Sequence, residues 1–217
     1  MLRDIAVYGA GGYGREIACL IKKINDREAR WNFIGYFDDR VEAGTSISYG
    51  QIRGNMEVLN AWETELDVVF AISNAEVLQV LYRKVANPLV AFPNIIDPDT
   101  VFLDRDSLEM GQGNIVGAFC CFSCNNSLGN FNILNGSISF GHDARIGDFN
   151  ILNPETRLSG GVVVGNANFF GLRSAVLQYI NVGDNTRVGA GSIVMRNTKD
   201  GFLYMGVPAK KYDVYSR

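Results

Sequence analysis

The chain has one histidine in 217 residues, four cysteines, and a formal net charge of only −3. Each shortage closes off a class of function. No apolar run approaches the ~20 residues that a membrane-spanning helix needs. The opening Met1-Leu2-Arg3-Asp4 leads straight into a strand, without the apolar segment and cleavage site of a secretory signal. Cys19, Cys120, Cys121 and Cys124 do not form the spaced framework of a disulfide-stapled secreted domain. One C-x-x-C without a second pair or nearby histidines is a poor zinc site, so small buried coil residues are the better reading of Cys120, Cys121 and Cys124. The expectation is a cytoplasmic protein with reduced thiols and no metal. The weak charge and the lack of a basic cluster give no reason to expect nucleic acid as a partner. With 47% hydrophobic and 20% charged residues, the composition is that of an ordinary folded protein rather than a disordered one.

What the chain does have is a row of apolar residues at every sixth position. It starts Met110, Val116, Phe122, Leu128, Leu134, Phe140 and continues unbroken through Leu152, Val164 and Val176 to Val194. Neither a helix of period 3.6 nor a strand of period 2 keeps such a row on one face. Six is the period of a hexapeptide β-helix, in which each repeat gives one short strand and one corner. Three repeats make a turn of the prism, so residues 18 apart should stack one strand spacing apart, roughly 4.8 Å. Gly, Asn or Ser often follows the apolar residue, as at Gly129, Gly141 and Gly165, where a tight corner favours residues tolerant of unusual φ/ψ. Small or β-branched residues such as Ala144, Thr156, Val162 and Ser174 often stand four places after it. Ile96 and Phe102 are also six apart, but Met110 comes eight after Phe102, so the first coil carries a two-residue slip.

Before the prism lies an α/β segment. The strand Ile5-Ala6-Val7-Tyr8 meets Gly9-Ala10-Gly11-Gly12-Tyr13-Gly14, and a helix follows through Arg15, Ile17 and Ile21. That is the strand–turn–helix setting in which backbone N–H groups at a helix start face a phosphate. Asp38 and Asp39 end the next strand, Phe33–Phe37, where a carboxylate can reach ribose or base. A third strand, Val68–Ile72, leads to Ser73-Asn74 and a helix over Glu76–Val85. Only about half of a dinucleotide fold fits before the prism begins, which argues against NAD and for one mononucleotide or a nucleotide-linked sugar. A generic βαβ packing turn is the plainer alternative. Asn87–Asn94 reads as the hinge, with domains at 1–93 and 94–217.

His142 lies two places past Phe140, on a corner or the outer surface of a coil, beside Asp143. Counting by 18 puts Cys124, His142, Gly160, Gln178 and Arg196 in one stack, with Ser159 and Gly161 flanking Gly160. An imidazole next to a carboxylate and to bare backbone is the minimum for general-base attack on an acyl carbon with oxyanion stabilisation.

These residues carry a resemblance. The hexapeptide row, His142-Asp143, Ser159-Gly160-Gly161 and the closing Gly206-Val207-Pro208-Ala209-Lys210 resemble the left-handed β-helix acyltransferases. Gly9–Gly14 and Phe37-Asp38-Asp39 narrow this to the PglD/NeuD-like sugar O- and N-acetyltransferases. The resemblance covers essentially the whole chain. It implies a half-Rossmann-like α/β domain followed by a left-handed parallel β-helix, and a homotrimer with acetyl-CoA in the groove between two prisms. It implies His142 as base, Asp143 as its carboxylate, and Gly160 as a donor to the acetyl carbonyl. Leu172 and Ala190, themselves 18 apart, match positions along the CoA track, and Ile151 stands where some relatives place a second histidine near CoA. Gly11, Gly12, Tyr13, Asp38, Asp39 and Ser73 match the sugar-nucleotide positions, with Tyr13 standing where histidine is common. The expected activity is transfer of an acetyl group to the amine, or hydroxyl, of a nucleotide-linked sugar. The alternatives are O-acetylation of a free sugar such as a sialic acid and a non-catalytic trimeric nucleotide-sugar sensor. An NAD(P) oxidoreductase has only the glycine turn in its favour.

Overall fold

A computed structural model describes residues 2–213. The chain divides into two compact units between Pro98 and Asp99.

The first unit is a six-stranded sheet with helices. In chain order it has β1 (Arg3–Tyr8), α1 (Gly12–Arg27), β2 (Trp31–Phe37), β3 (Ser46–Ile47), β4 (Gly50–Gly54), α2 (Met56–Asn60), β5 (Leu66–Phe70), α3 (Ala75–Lys84) and β6 (Val90–Ala91). The sheet order is β3-β4-β2-β1-β5-β6, parallel except for the short β3–β4 hairpin. β1 lies inside the sheet with Ile5, Ala6 and Val7 fully buried, the environment that an unbroken apolar run requires. α1 buries Ile17, Ala18, Ile21 and Ile24, the one-face spacing of an amphipathic helix. The hairpin and the five-residue α2 are too short to leave a periodic trace in the sequence.

The second unit is a parallel β-helix of short strands in three sheets. The first sheet stacks Ile115–Val116, Ile133–Leu134, Ile151–Leu152, Phe169–Phe170 and Arg187–Val188. The second runs from Val101–Phe102 through Cys121–Phe122, Ser139–Phe140, Arg157–Leu158 and Ala175–Val176 to Ile193–Val194. The third runs from Glu109–Met110 to Asn181–Val182. Strand partners in the regular coils are 18 residues apart, as Ile133 and Ile151 are; at the slip, Phe102 pairs with Phe122. From Val116 to Val194 every member of the six-residue row is buried, and Met110 is half-buried.

Three edges join these sheets. The first edge, between sheets one and two, carries Leu172 and Ala190. The second, between sheets two and three, carries His142 and Gly160. The third, between sheets three and one, carries Asn130, Asp148, Asn166 and Asp184.

The corners differ from the sequence expectation in one respect. The glycine directly after the apolar residue is not where the chain turns left-handed. That conformation falls two places later and is taken by ordinary residues, such as Phe131 (φ 53°), Asp143 (φ 58°) and Phe149 (φ 58°). At Gly141 the reason for glycine is instead the next coil. A Cβ there would collide with the amide nitrogen of Gly160. Close approach, not φ, selects glycine at that corner.

Inside the prism a further ladder runs beside the first sheet. Asn114, Asn132, Asn150 and Asn168 are buried, and each side-chain oxygen accepts the backbone N–H of the residue 18 further on, ending at Thr186. The distances are 2.6 to 2.9 Å. Buried amide oxygens satisfied in series cost little and fix the register of successive coils.

Candidate active site

His142 and Gly160 stack as the 18-residue count requires. Gly161 N–H donates to the His142 carbonyl at 2.8 Å, and Asp143 N–H donates to the Cys124 carbonyl at 3.0 Å. The imidazole lies against Gly160: a Cβ there would be 2.5 Å from His142 Nε2, so glycine is what admits the ring. His142 Nδ1 is 2.7 Å from Asp143 Oδ2. An ionised carboxylate only accepts, so Nδ1 carries the proton, and in the neutral ring the lone pair is on Nε2. The Asp143 carboxyl is held below the usual carboxylate range, first by the hydrogen bond with His142 and then by one from Asn125. Both side chains of the pair are about half exposed, so a ligand can reach them.

The amide N–H groups of His142 and Gly160 donate to no acceptor among the described residues. Gly141 and Gly160 together leave this stretch of backbone bare. An imidazole with an available lone pair beside an uncommitted N–H is equipped to take a proton while a nearby oxygen gains charge. Asn125 is a residue that sequence reasoning missed. It stands 18 before Asp143, so the same count, started from the carboxylate rather than the histidine, finds it.

Leu172 and Ala190 stack on the first edge, where Gly191 N–H donates to the Leu172 carbonyl at 2.8 Å. Both are exposed, and neither amide N–H has an acceptor among the described residues. Within one chain they are on a different edge from His142. The structure does not bring Ile151 to either place. It lies in a strand rather than at a corner, stacked between Ile133 and Phe169, and is only 2% exposed.

In the first unit, the predicted residues gather at the C-terminal ends of β1, β2 and β5, where open α/β sheets hold ligands. Gly11 and Gly12 are exposed, with open space where a Cβ would stand. Gly11 caps α1 without a side-chain hydrogen bond, and the first turn has no acidic residue. That end of the helix therefore keeps its attraction for an anion. Gly14 has a different task, since a Cβ there would overlap the Gly9 carbonyl oxygen. Asp38 holds the turn itself: Oδ2 accepts the Ala10 N–H and Oδ1 the Arg40 N–H, each at 2.8 Å. Asp39 Oδ1 accepts from the Tyr8 hydroxyl at 2.6 Å and from the Met56 N–H at 3.1 Å. Tyr13 turns inward: its hydroxyl is buried and meets no hydrogen-bond partner among the described residues. Burial pushes the ionisation of that phenol up. Ser73 is exposed just past β5, before Asn74, whose side chain caps α3.

Among the described residues, no group of three or more His, Cys, Asp or Glu stands together as metal ligands. No helix among them is long and apolar enough to cross a membrane.

Known structures share this fold along nearly the whole chain. Residues 4–85 match the PglD N-terminal domain family. Among solved structures, the chain is similar to the acetyltransferase domain of PglB from Neisseria gonorrhoeae FA1090, a structure in complex with acetyl coenzyme A. The identity is 26% and the TM-score 0.88, over 98% of this chain and 100% of that one. It is also similar to PerB from Caulobacter crescentus in complex with CoA and GDP-perosamine, at 26% identity and TM-score 0.86 over 98% of each chain. WeeI from Acinetobacter baumannii AYE, at 23% identity and TM-score 0.86 over 97% of this chain and 100% of that one, shares the fold. No curated protein sequence matches the chain. With residues 4–85 similar to the PglD N-terminal domain, the chain as a whole has the architecture of the left-handed β-helix sugar acetyltransferases.

Proposed function

We propose that the protein transfers the acetyl group of acetyl-CoA to the amine of a nucleotide-linked amino sugar, with His142 as general base. The observation that carries this reading is the His142–Asp143 pair set against the bare backbone of Gly160. The acceptor nitrogen attacks the thioester carbonyl carbon, and Nε2 of His142 takes the proton that the nitrogen loses. The carbonyl oxygen becomes an oxyanion, to which the Gly160 N–H donates. Collapse breaks the carbon–sulfur bond and leaves the imidazolium to protonate the departing thiolate. Asp143 keeps the ring oriented and lies beside the positive charge that the ring gains. A hydroxyl acceptor would follow the same steps.

His142 and the Leu172–Ala190 pair occupy different edges of one prism, so a single elongated cosubstrate that meets both suits a groove between neighbouring copies. That supports a closed homotrimer, the simplest ring in which every such groove is equivalent. The nucleotide is assigned to the first unit, with its phosphates at the open start of α1 near Gly11 and Gly12. Asp39 is exposed, and its Oδ2 has no donor among the described residues. It is therefore the better candidate for base or ribose than Asp38, whose two oxygens hold backbone. A cytoplasmic location fits a reaction that consumes acetyl-CoA. The test is thiol release from acetyl-CoA across a panel of UDP-, dTDP- and GDP-linked amino sugars. Release with one of them, lost in His142→Ala, is the expected outcome, and no release with any acceptor would end the proposal.

A further inference from the structure

The carboxylate that holds His142 is itself held by another side chain. Asn125 stands one coil before Asp143 on the second edge. Its Nδ2 donates to Asp143 Oδ1 at 3.2 Å, while Asp143 Oδ2 faces His142 Nδ1 at 2.7 Å. The two carboxylate oxygens thus have different partners, which fixes the plane of the carboxylate as well as its position. Asn125 is in turn anchored. Its backbone is left-handed, with φ 55°, a conformation that asparagine tolerates better than most residues. Its N–H donates to Ser107 Oγ at 2.8 Å, and the Ser107 hydroxyl donates to the Asp104 carbonyl at 3.2 Å. Ser107 lies one coil before Asn125 on the same edge, inside the eight-residue step between Phe102 and Met110.

We propose that Asn125 is a positioning residue for the acetyl transfer: acting through Asp143, it keeps the His142 ring in the tautomer with the proton on Nδ1 and the lone pair on Nε2. The proposal rests on the reading of His142 as the base. An isolated imidazole in water prefers its proton on Nε2, and a ring in that form has nothing at Nε2 to accept a substrate proton. Hydrogen bonding at Nδ1 reverses the preference only while the carboxylate is directed at it. Asp143 is exposed, and without a second partner its carboxylate can rotate away to water. An amide is suited to this place because it donates without adding charge. A carboxylate at 125 would repel Asp143 instead.

His142 is the only histidine, so its ring nitrogens give unambiguous signals in 15N-labelled protein. In the parent protein, at a pH where the imidazole is neutral, the Nδ1–H form is expected. In Asn125→Ala and Asn125→Asp the population should move towards Nε2–H. Turnover should fall about two- to tenfold, the range expected for one lost hydrogen bond. The KM for acetyl-CoA should stay at the parent value. Asn125→Asp is the sharper variant, since it keeps the shape and the left-handed tolerance while exchanging the donor for a second negative charge. Retention of the Nδ1–H form in both variants would overturn the proposal, whatever happens to their turnover. Parent turnover in a variant whose tautomer has shifted would overturn it equally. Failure of the catalytic reading is visible separately, as near-parent turnover in His142→Ala.

Discussion

The second and third edges of the prism share one backbone path and use it differently. On the third edge the outward amides from Gln112 to Asn166 are each capped by the side chain 18 residues later. Gln112 N–H donates to Asn130, Asn130 to Asp148, Asp148 to Asn166 and Asn166 to Asp184, at 2.6 to 3.0 Å. On the second edge the residue that would cap the His142 amide is Gly160, which has no side chain to do so. The third edge commits its polar side chains to stabilising the turn. The second leaves the His142 and Gly160 amides uncommitted and fills the space above Gly160 with an imidazole. One repeat geometry thus caps the outward amides on one edge and leaves those of His142 and Gly160 open on another, and the residue type at one corner position makes the difference. Amides left without partners are a cost that natural proteins usually avoid except where a ligand or water supplies the partner.

The largest effect expected from breaking this contrast is on turnover. His142→Ala removes the only histidine, and loss of a general base typically costs about 10²–10⁴-fold. The melting temperature and CoA affinity should persist, because the ring is half exposed and lies outside the core. Turnover within about threefold of the parent, at saturating substrates, is far short of that loss and would assign His142 to the solvated surface.

Gly160→Ala should come next. The new methyl must occupy space 2.5 Å from Nε2 and push the imidazole off the backbone. Displacement of a reacting group by about 1 Å can cost about 10²-fold. The loss should appear in kcat, with little change in melting. A fully active Gly160→Ala enzyme would show that the ring works from another position.

The third edge should behave in the opposite way. Asn166→Ala uncaps the Asp148 amide and removes the Asn166 Nδ2 bond to Asp184, so it should cost about 1 kcal/mol of stability and leave kcat alone. Melting and turnover measured on the same preparation separate the two edges. A kcat defect in Asn166→Ala as large as that in Gly160→Ala would erase the distinction.

The prism was legible in the sequence because six-residue burial leaves an unbroken apolar row, and stacking by 18 follows from it by counting. That count alone brought His142 to Gly160. What it did not reveal were relations that depend on the direction of a side chain. The Asn114–Asn132–Asn150–Asn168 ladder lies at the same spacing, but polar residues inside a prism look like loop residues until their partners are seen. Asp38 reads as a ligand carboxylate at a strand end, yet both its oxygens serve the local backbone. Resemblance alone places Ile151 near CoA, and the structure buries it within a strand. The corner glycine at 141 reads as conformational, whereas contact between coils selects it.

The smallest expected effect concerns pH and separates the proposed catalytic pair from an ordinary ion pair. Asp143 is held below the usual carboxylate range by His142 and then Asn125, and on the first edge Glu155 is held below it by Arg173 at 2.8 Å. A carboxyl whose pKa is lower folded than unfolded adds stability that is fully present above its unfolded value, about 4. That contribution is lost as pH falls through the lower folded value. Both carboxylates are exposed, so solvent screens the effect and each should shift melting only slightly. Asp143→Asn and Glu155→Gln should therefore melt slightly below the parent above about pH 5, with the difference closing below about pH 4. Stability alone does not distinguish the two edges, but turnover does. Asp143→Asn should lose activity, because its amide carries no charge to face the imidazolium that forms as the proton arrives, whereas Glu155→Gln should not. Equal turnover in the two variants would reduce the His142–Asp143 contact to one more surface pair.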